Sequence, residues 1–128
     1  MEPGAKLDTL AHSVIGAAIE VHRALGPGFL EAVYEEALSY ELESRHIEFR
    51  RQAAVSVFYK AHEVGTGRID LLVEGELVIE LKAIDNLLPV HQAQLISYLR
   101  TLNKSLGLLI NFNVYRLKQG IKRVVLTI

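Results

Sequence analysis

The stretch Arg68-Ile-Asp-Leu-Leu-Val-Glu-Gly-Glu-Leu-Val-Ile-Glu-Leu-Lys-Ala83 decides how this chain folds. Two apolar, β-prone arms, Arg68–Val73 and Leu77–Ala83, flank Glu74-Gly75-Glu76, and the whole reads as a hairpin. A turn of odd length centred on Gly75, where glycine accepts the left-handed conformation, pairs Leu71 with Ile79 and Asp70 with Glu80. The two carboxylates then face each other with their Cβ atoms about 5 Å apart. A two-residue turn would send them to opposite faces. Glu80 and Lys82 are two apart on one arm and share a face in either case. The other face carries Ile69, Leu71, Val73, Leu77, Ile79 and Leu81, a core surface.

Carboxylates directly opposite each other repel. The pair becomes favourable around a hard divalent cation such as Mg²⁺ or Mn²⁺, which takes oxygen ligands and commonly shares its shell with substrate phosphate. Lys82, two residues on, can fix an attacking water or stabilise charge developing on a phosphate. The hairpin therefore suggests metal-assisted phosphodiester cleavage. The competing reading is a solvated sheet face on which Lys82 bridges the two carboxylates.

The flanking sequence supplies the rest of the order. Asp8 or Thr9 is expected to cap a helix running to Leu25, whose apolar positions Leu10, Val14, Ala17, Ala18 and Val21 recur at helical spacing. Gly26-Pro27-Gly28 stops it. A second helix is expected from Phe29 to Arg45, with Glu31, Tyr34, Glu35 and Leu38 along one stripe. Glu31, near its N-terminus, is also where the helix dipole alone favours a carboxylate. A strand follows over Glu48–Tyr59, then a glycine-containing connection over Lys60–Gly67. Beyond the hairpin, Pro89 opens a helix to Asn103 that sets His91, Gln94 and Tyr98 along one face. Leu106–Phe112 reads as a strand buried on both sides, and Lys122–Ile128 as an edge strand. The order is α-α-β-β-β-α-β-β: an α/β (α+β) fold with one mixed sheet flanked by helices.

The 128 residues, half of them hydrophobic, fit one domain over 1–128, with residues 1–7 expected to be a flexible start. The net charge of −1 gives no whole-molecule attraction to nucleic acid, so such binding needs a local patch. The absence of cysteine excludes disulfides, thiolate metal sites and cysteine nucleophiles, and fits a reducing, cytoplasmic setting. No zinc spacing, phosphate-binding glycine loop or nucleophile elbow is present. His12, His22 and His62 read as structural or surface residues. No signal peptide and no membrane span are read.

The residues also resemble a family. Asp70, with Glu80-Leu81-Lys82 following on the next arm, looks like the PD-(D/E)XK nuclease superfamily, although Ile69 stands where the superfamily's name has proline. Gln94-Leu-Ile-Ser-Tyr98 resembles the Q-x-x-x-Y motif of its RecB-type branch. Gly28-Phe-Leu-Glu31-Ala-Val-Tyr34 resembles the signature of the small bacterial GxxExxY proteins. The resemblance extends through Val78–Ala83 and Leu106–Phe112. It implies a restriction-endonuclease-like core and a Mg²⁺- or Mn²⁺-dependent nuclease; it does not supply the substrate, for which DNA is expected over RNA. By position, Asp70, Glu80, Glu31 and the backbone carbonyl of Leu81 match metal ligands. Lys82 matches the catalytic lysine, and Gln94 and Tyr98 match residues that orient it or touch substrate. Arg68, Tyr34 and Lys104 are candidate nucleic-acid contacts, with Arg45, Arg50 and Arg51 as further cations. Two alternatives stand beside this reading: a non-catalytic nuclease-fold module binding protein or nucleic acid, and an enzyme acting on another phosphate ester. Leu87-Leu88 and the C-terminal edge strand offer surfaces for a homodimer or a protein partner.

Overall fold

The computed structural model describes residues 4–127. The elements are α1 (Ala5–Leu25), α2 (Glu31–Ser44), β1 (Phe49–Tyr59), β2 (His62–Val73), β3 (Leu77–Lys82), α3 (Pro89–Leu102), β4 (Leu106–Asn111), a short 3-10 helix (Leu117–Gly120) and β5 (Ile121–Val125). The five strands form one sheet in the order β1-β2-β3-β4-β5. β3 and β4 are its parallel pair, and α3 is the crossover that joins them. The result is an α+β fold consistent with a restriction-endonuclease-like core, and the expected order of elements is observed.

The hairpin turn has the odd length that the charge pattern requires. Glu74 and Gly75 both take positive φ, 50° and 69°, and Leu71 pairs with Ile79, Leu72 with Val78 and Val73 with Leu77.

Both faces of the sheet are covered. On one side α1 and α2 pack Val14, Ala17, Val21, Leu38 and Leu42 against Leu71, Val73, Leu77, Ile79, Leu81 and alternate residues of β4. On the other side α3 lays Leu95 and Leu99 on Val55, Ile69, Leu72, Val78, Leu109 and Val124. β4 is buried along its whole length, as its unbroken apolar run requires. Burial of this extent, at roughly 25 cal/mol per Å² of apolar surface, is what holds the layers together.

Several expectations need correction. First, Ile69 does not share a face with Leu71: it packs under α3 whereas Leu71 packs under α1 and α2. Strand residues two apart normally share a face. The same switch occurs in β1, where Phe49 packs with the α1–α2 layer and Ala53 with the α3 layer. Both strands therefore change face at one level, that of Gln52 and Asp70. Second, most of the Lys60–Gly67 connection is strand, since β2 begins at His62. Gly67 lies in that strand because Tyr98 covers it: a Cβ there would stand 2.8 Å from the Tyr98 hydroxyl. Third, α1 begins at Ala5, so residues 5–7 are helical, while 1–3 lie outside the described residues. Thr9 is not a cap, and its hydroxyl donates back to the Ala5 carbonyl at 2.9 Å. The last strand stops at Val125, and Ile128 lies outside the described residues.

β1 and β2 pair from Phe49↔Val73 to Tyr59↔His62, but β2 pairs with β3 only from Leu71 to Val73. The outer part of the β1–β2 pair consequently projects as a two-stranded arm. Residues 56–66 are exposed except half-buried Val57.

Candidate active site

The arm and β3 make a fork. Past Leu71↔Ile79 no further β2–β3 pair forms among the described residues, and two carboxylates occupy the opening. The Leu81 N–H donates to Asp70 Oδ2 at 2.7 Å, and the Asp70 N–H donates to Glu80 Oε1 at 3.1 Å. Each side chain thus satisfies a backbone donor of the other strand, where the ladder would otherwise leave it unpaired. Glu80 is buried, 7% exposed. Burial first, and the Asp70 charge second, push its carboxyl up to about 8, against the hydrogen bond from Asp70 N–H and the attraction of Lys82.

Lys82 lies two residues on, half-buried, and forms no ion pair among the described residues. Its strand end is clamped from β4. Phe112 N–H donates to the Lys82 carbonyl at 2.9 Å. Buried Asn111 holds Ile84, two residues beyond Lys82: its amide donates to the Ile84 carbonyl at 2.9 Å and its Oδ1 accepts from Ile84 N–H at 3.1 Å. Asn111 is a supporting residue that the sequence did not single out.

Glu31 comes from the other layer, as the first residue of α2. The Asp70, Lys82, Glu35 and Glu80 charges all act on it. Its carboxyl is raised above the ordinary value by desolvation first, then by Asp70, with Lys82 opposing. The local sequence explains its place. Gly28 takes φ +109°, which favours glycine, and Leu30 is extended, so the helix can begin only at Glu31. One turn later, Tyr34 reaches back. Its hydroxyl donates to the Gly26 carbonyl at 2.6 Å and accepts from Phe29 N–H at 3.1 Å. Its ring stacks on Phe112, with centroids 4.5 Å apart. Tyr34 is fully buried, so it is no nucleic-acid contact; it holds the loop that places Glu31.

Asp70 and Glu80 meet across the fork, and the charges of Lys82 and Glu31 reach them. The Leu81 side chain is buried in the α1–α2 core, and its backbone N–H is committed to Asp70. Gln94 and Tyr98 share a face of α3 and hydrogen-bond to each other at 3.5 Å, while Tyr98 closes over Gly67, three residues before Asp70. His91 caps α3 by accepting from Leu88 N–H at 2.9 Å. His22 Nε2 meets the Val114 carbonyl at 2.8 Å, the structural role expected of it.

The candidate cations divide. Lys104 pairs with Glu76 at 3.6 Å. It precedes β4, beside the start of β3 and roughly 17 Å along that strand from Lys82, so it is not brought to the fork. Arg45 pairs with Glu41, and Arg51 with Glu35 and Glu36. Arg68 is exposed on β2 two residues before Asp70 and, like Arg50, has no ion pair among the described residues.

Two more residues join the site that sequence spacing did not assign to it. Glu35 is buried one turn after Glu31, and Gln52 donates to it at 2.8 Å and to Asp70 Oδ1 at 3.3 Å. The only sequence signal for Glu35 is its place on the Glu31 stripe.

The family model described as PD-(D/E)XK nuclease superfamily matches residues 8–124, a span that contains every one of these side chains. The chain belongs to the PD-(D/E)XK nuclease superfamily. No curated protein matches it. The superfamily generally uses divalent metals. Asp70, Glu80 and Glu31 offer the hard oxygen donors that such a cation takes, and Glu80 is pushed up first by burial and only then by the Asp70 charge. Among the described residues no three His, Asp or Glu side chains stand close enough to chelate a metal alone. A Mg²⁺ ion typically takes only one or two carboxylates and completes its shell with water and phosphate. No helix among the described residues is long and apolar enough to cross a membrane.

Proposed function

We propose that the protein is a divalent-metal-dependent nuclease that hydrolyses phosphodiester bonds, acting on DNA in preference to RNA. The observation that carries this reading is the fork: two opposed carboxylates and, beside them, the Lys82 ammonium, which has no carboxylate ion pair among the described residues. Asp70 and Glu80 would hold Mg²⁺ or Mn²⁺, with the Leu81 carbonyl as a further donor and Glu31 completing the shell directly or through water. The ion would supply Lewis-acid stabilisation of charge on the phosphate. Lys82 places an ammonium where it can orient the attacking water or meet the charge that builds on the phosphoryl oxygens. Asn111 and Phe112 hold the end of β3, so that ammonium is delivered from a fixed strand. Tyr98 covers the arm at Gly67 with Gln94 hydrogen-bonded to it, and Arg68 is the nearest cation in sequence on the arm for a phosphate. The Gly28-x-x-Glu31-x-x-Tyr34 pattern supports a place among the GxxExxY proteins.

A second reading is a nuclease-fold module that binds a protein partner or another copy of itself without cleaving. The net charge of −1 favours it, as does an apolar groove of about 720 Å³ between α1 and α2, floored by Val21, Ala24, Ala32 and Val33.

The deciding experiment offers labelled single- and double-stranded DNA and RNA to wild type, Asp70→Asn, Glu80→Gln and Lys82→Ala, with Mn²⁺, Mg²⁺ or chelator. Metal-dependent cleavage by wild type that all three variants lose is expected. Cleavage that survives all three substitutions rejects the assignment. An inert wild type that binds no Mn²⁺ favours the second reading.

A further inference from the structure

Among the described residues, five that are not glycine take positive φ: His46, Gln52, Lys60, Glu74 and Asn103. Four lie at turns or helix ends. Gln52 alone is inside a strand, at φ 51° in β1. Arg51 pairs with Leu71 and Ala53 with Ile69, but Gln52 and Asp70, opposite each other between these pairs, do not pair. This is the level at which both strands change face. A left-handed residue other than glycine within a strand is unfavourable, and such a conformation persists only where its surroundings hold it.

The reversal aims the Gln52 amide at two carboxylates. It donates to Glu35 Oε1 at 2.8 Å and to Asp70 Oδ1 at 3.3 Å. Glu35 is itself fixed, because its other oxygen accepts from Arg51 Nε at 3.2 Å, and Arg51 also grips Glu36 at 2.6 Å. The Gln52 amide is therefore anchored by a buried carboxylate on α2 and directs its second donor to Asp70. On the opposite side, Asp70 Oδ2 takes the Leu81 N–H. With one oxygen held by each of two strands, the plane of the Asp70 carboxylate is set.

We propose that Gln52 is a positioning residue of the site: through its left-handed backbone and the Glu35–Arg51 anchor it fixes the Asp70 carboxylate against the Leu81 amide for binding a divalent cation. The cation part rests on the metal-nuclease reading; the fixing of Asp70 does not. Gln52 touches neither substrate nor metal in this scheme. It acts on the orientation of the residue that does.

Two variants separate this role from a merely structural one. Gln52→Asn keeps a residue that tolerates the left-handed region but is one methylene too short to span Glu35 and Asp70. Gln52→Gly removes the backbone strain together with the amide. The metal-free protein is measured first, through exchange of the Leu81 backbone amide with solvent by NMR. Both variants should speed exchange at Leu81 about tenfold relative to wild type, while Ile79, in the intact ladder, changes little. Mn²⁺ titration calorimetry should show about tenfold weaker binding in both, with thermal stability retained or, for Gln52→Gly, raised. Cleavage should lose kcat, with KM little changed. Unaltered Leu81 exchange in both variants overturns the proposal. Faster Leu81 exchange with Mn²⁺ affinity held within twofold of wild type overturns its cation part. A wild type that binds no Mn²⁺ and cleaves nothing, yet whose Leu81 amide responds to Gln52→Asn, sustains the fixing of Asp70 and rejects the nuclease reading.

Discussion

Asp70 and Glu80 hold each other's strands open: each carboxylate accepts a backbone N–H from the opposite strand, at 2.7 Å from Leu81 and 3.1 Å from Asp70 itself. The same two bonds that satisfy the fork bring two carboxyl groups together at a site where one is buried. That conflict is stored in the metal-free protein, and it is measurable.

Glu80 carries the first consequence. Its folded pKa is raised from 4.5 to about 8. A raised carboxyl stabilises the fold fully below its unfolded value and loses that contribution as pH climbs through about 8. Glu80→Gln, which keeps the shape without the charge, should therefore match the protonated wild type near pH 4.5. By pH 9 it should be the more stable by a few kcal/mol, since each tenfold change in proton affinity is worth about 1.4 kcal/mol. Denaturant melts of both proteins from pH 4.5 to 9 read this directly, and a constant difference across the range would contradict it.

Metal affinity follows from the same proton. If Glu80 is a ligand, Mn²⁺ has to displace the proton that it holds at neutral pH, so affinity should climb with pH up to about 8 and then level off. Calorimetry in buffers of different ionisation enthalpy should find close to one proton released per ion bound at pH 7. No release at that pH would show Glu80 to be outside the binding shell.

Tyr34→Phe removes the hydroxyl from Gly26 and Phe29 while keeping the stack on Phe112. Loss of these two bonds should cost about 1–3 kcal/mol of stability. Metal binding should weaken as well, because the loop they hold sets where Glu31 begins. Affinity for nucleic acid measured without metal should not change, since the ring is inaccessible.

Gly67→Ala places a methyl against the Tyr98 ring and hydroxyl, at 2.9 Å and 2.8 Å. It should destabilise by roughly 1–3 kcal/mol. Combining it with Tyr98→Ala should recover part of that loss, so the double-mutant cycle should give a coupling well above about 0.5 kcal/mol. Simple additivity would mean that the helix yields and the contact is not tight.

Asn111→Leu fills similar space but leaves the Ile84 N–H and carbonyl without partners. A destabilisation of about 1–3 kcal/mol is expected from two part-buried backbone groups. Because the clamp steadies the strand end that carries Lys82, kcat should fall as well, with Mn²⁺ affinity preserved. An unchanged kcat in the folded variant would separate the clamp from the chemistry.

Much of the fork is legible in the sequence because it is local. A three-residue turn and a period of two are enough to set Asp70 opposite Glu80, and both lie within one hairpin. Helical spacing likewise makes Gln94 and Tyr98 neighbours. What escapes depends on distant partners. Gly67 looks like a loop residue because its reason, the ring of Tyr98, comes from another helix. Gln52 looks like an ordinary strand residue because nothing nearby in sequence reports a backbone reversal. The uniform face Ile69–Leu71–Val73 fails at that same reversal. Tyr34 reads as a contact for substrate because spacing places a side chain on a helix face without saying that Phe112 covers it. Asp8 has the chemistry of a cap, but the helix starts earlier with no side-chain cap and Asp8 instead pairs with Arg123.

The protruding arm has one more property. Its tip, at Lys60 and Ala61, is exposed and contributes to neither core, the kind of position where a chain tolerates cutting or insertion. A break there parts the chemistry as well as the chain: Glu31, Glu35 and Gln52 fall on one piece, and Asp70, Glu80 and Lys82 on the other. Neither fragment holds a whole site, yet the β1–β2 ladder runs the length of their shared boundary. The molecule is thus divided as a two-piece reporter would be, with the candidate site made whole only where the two halves zip together.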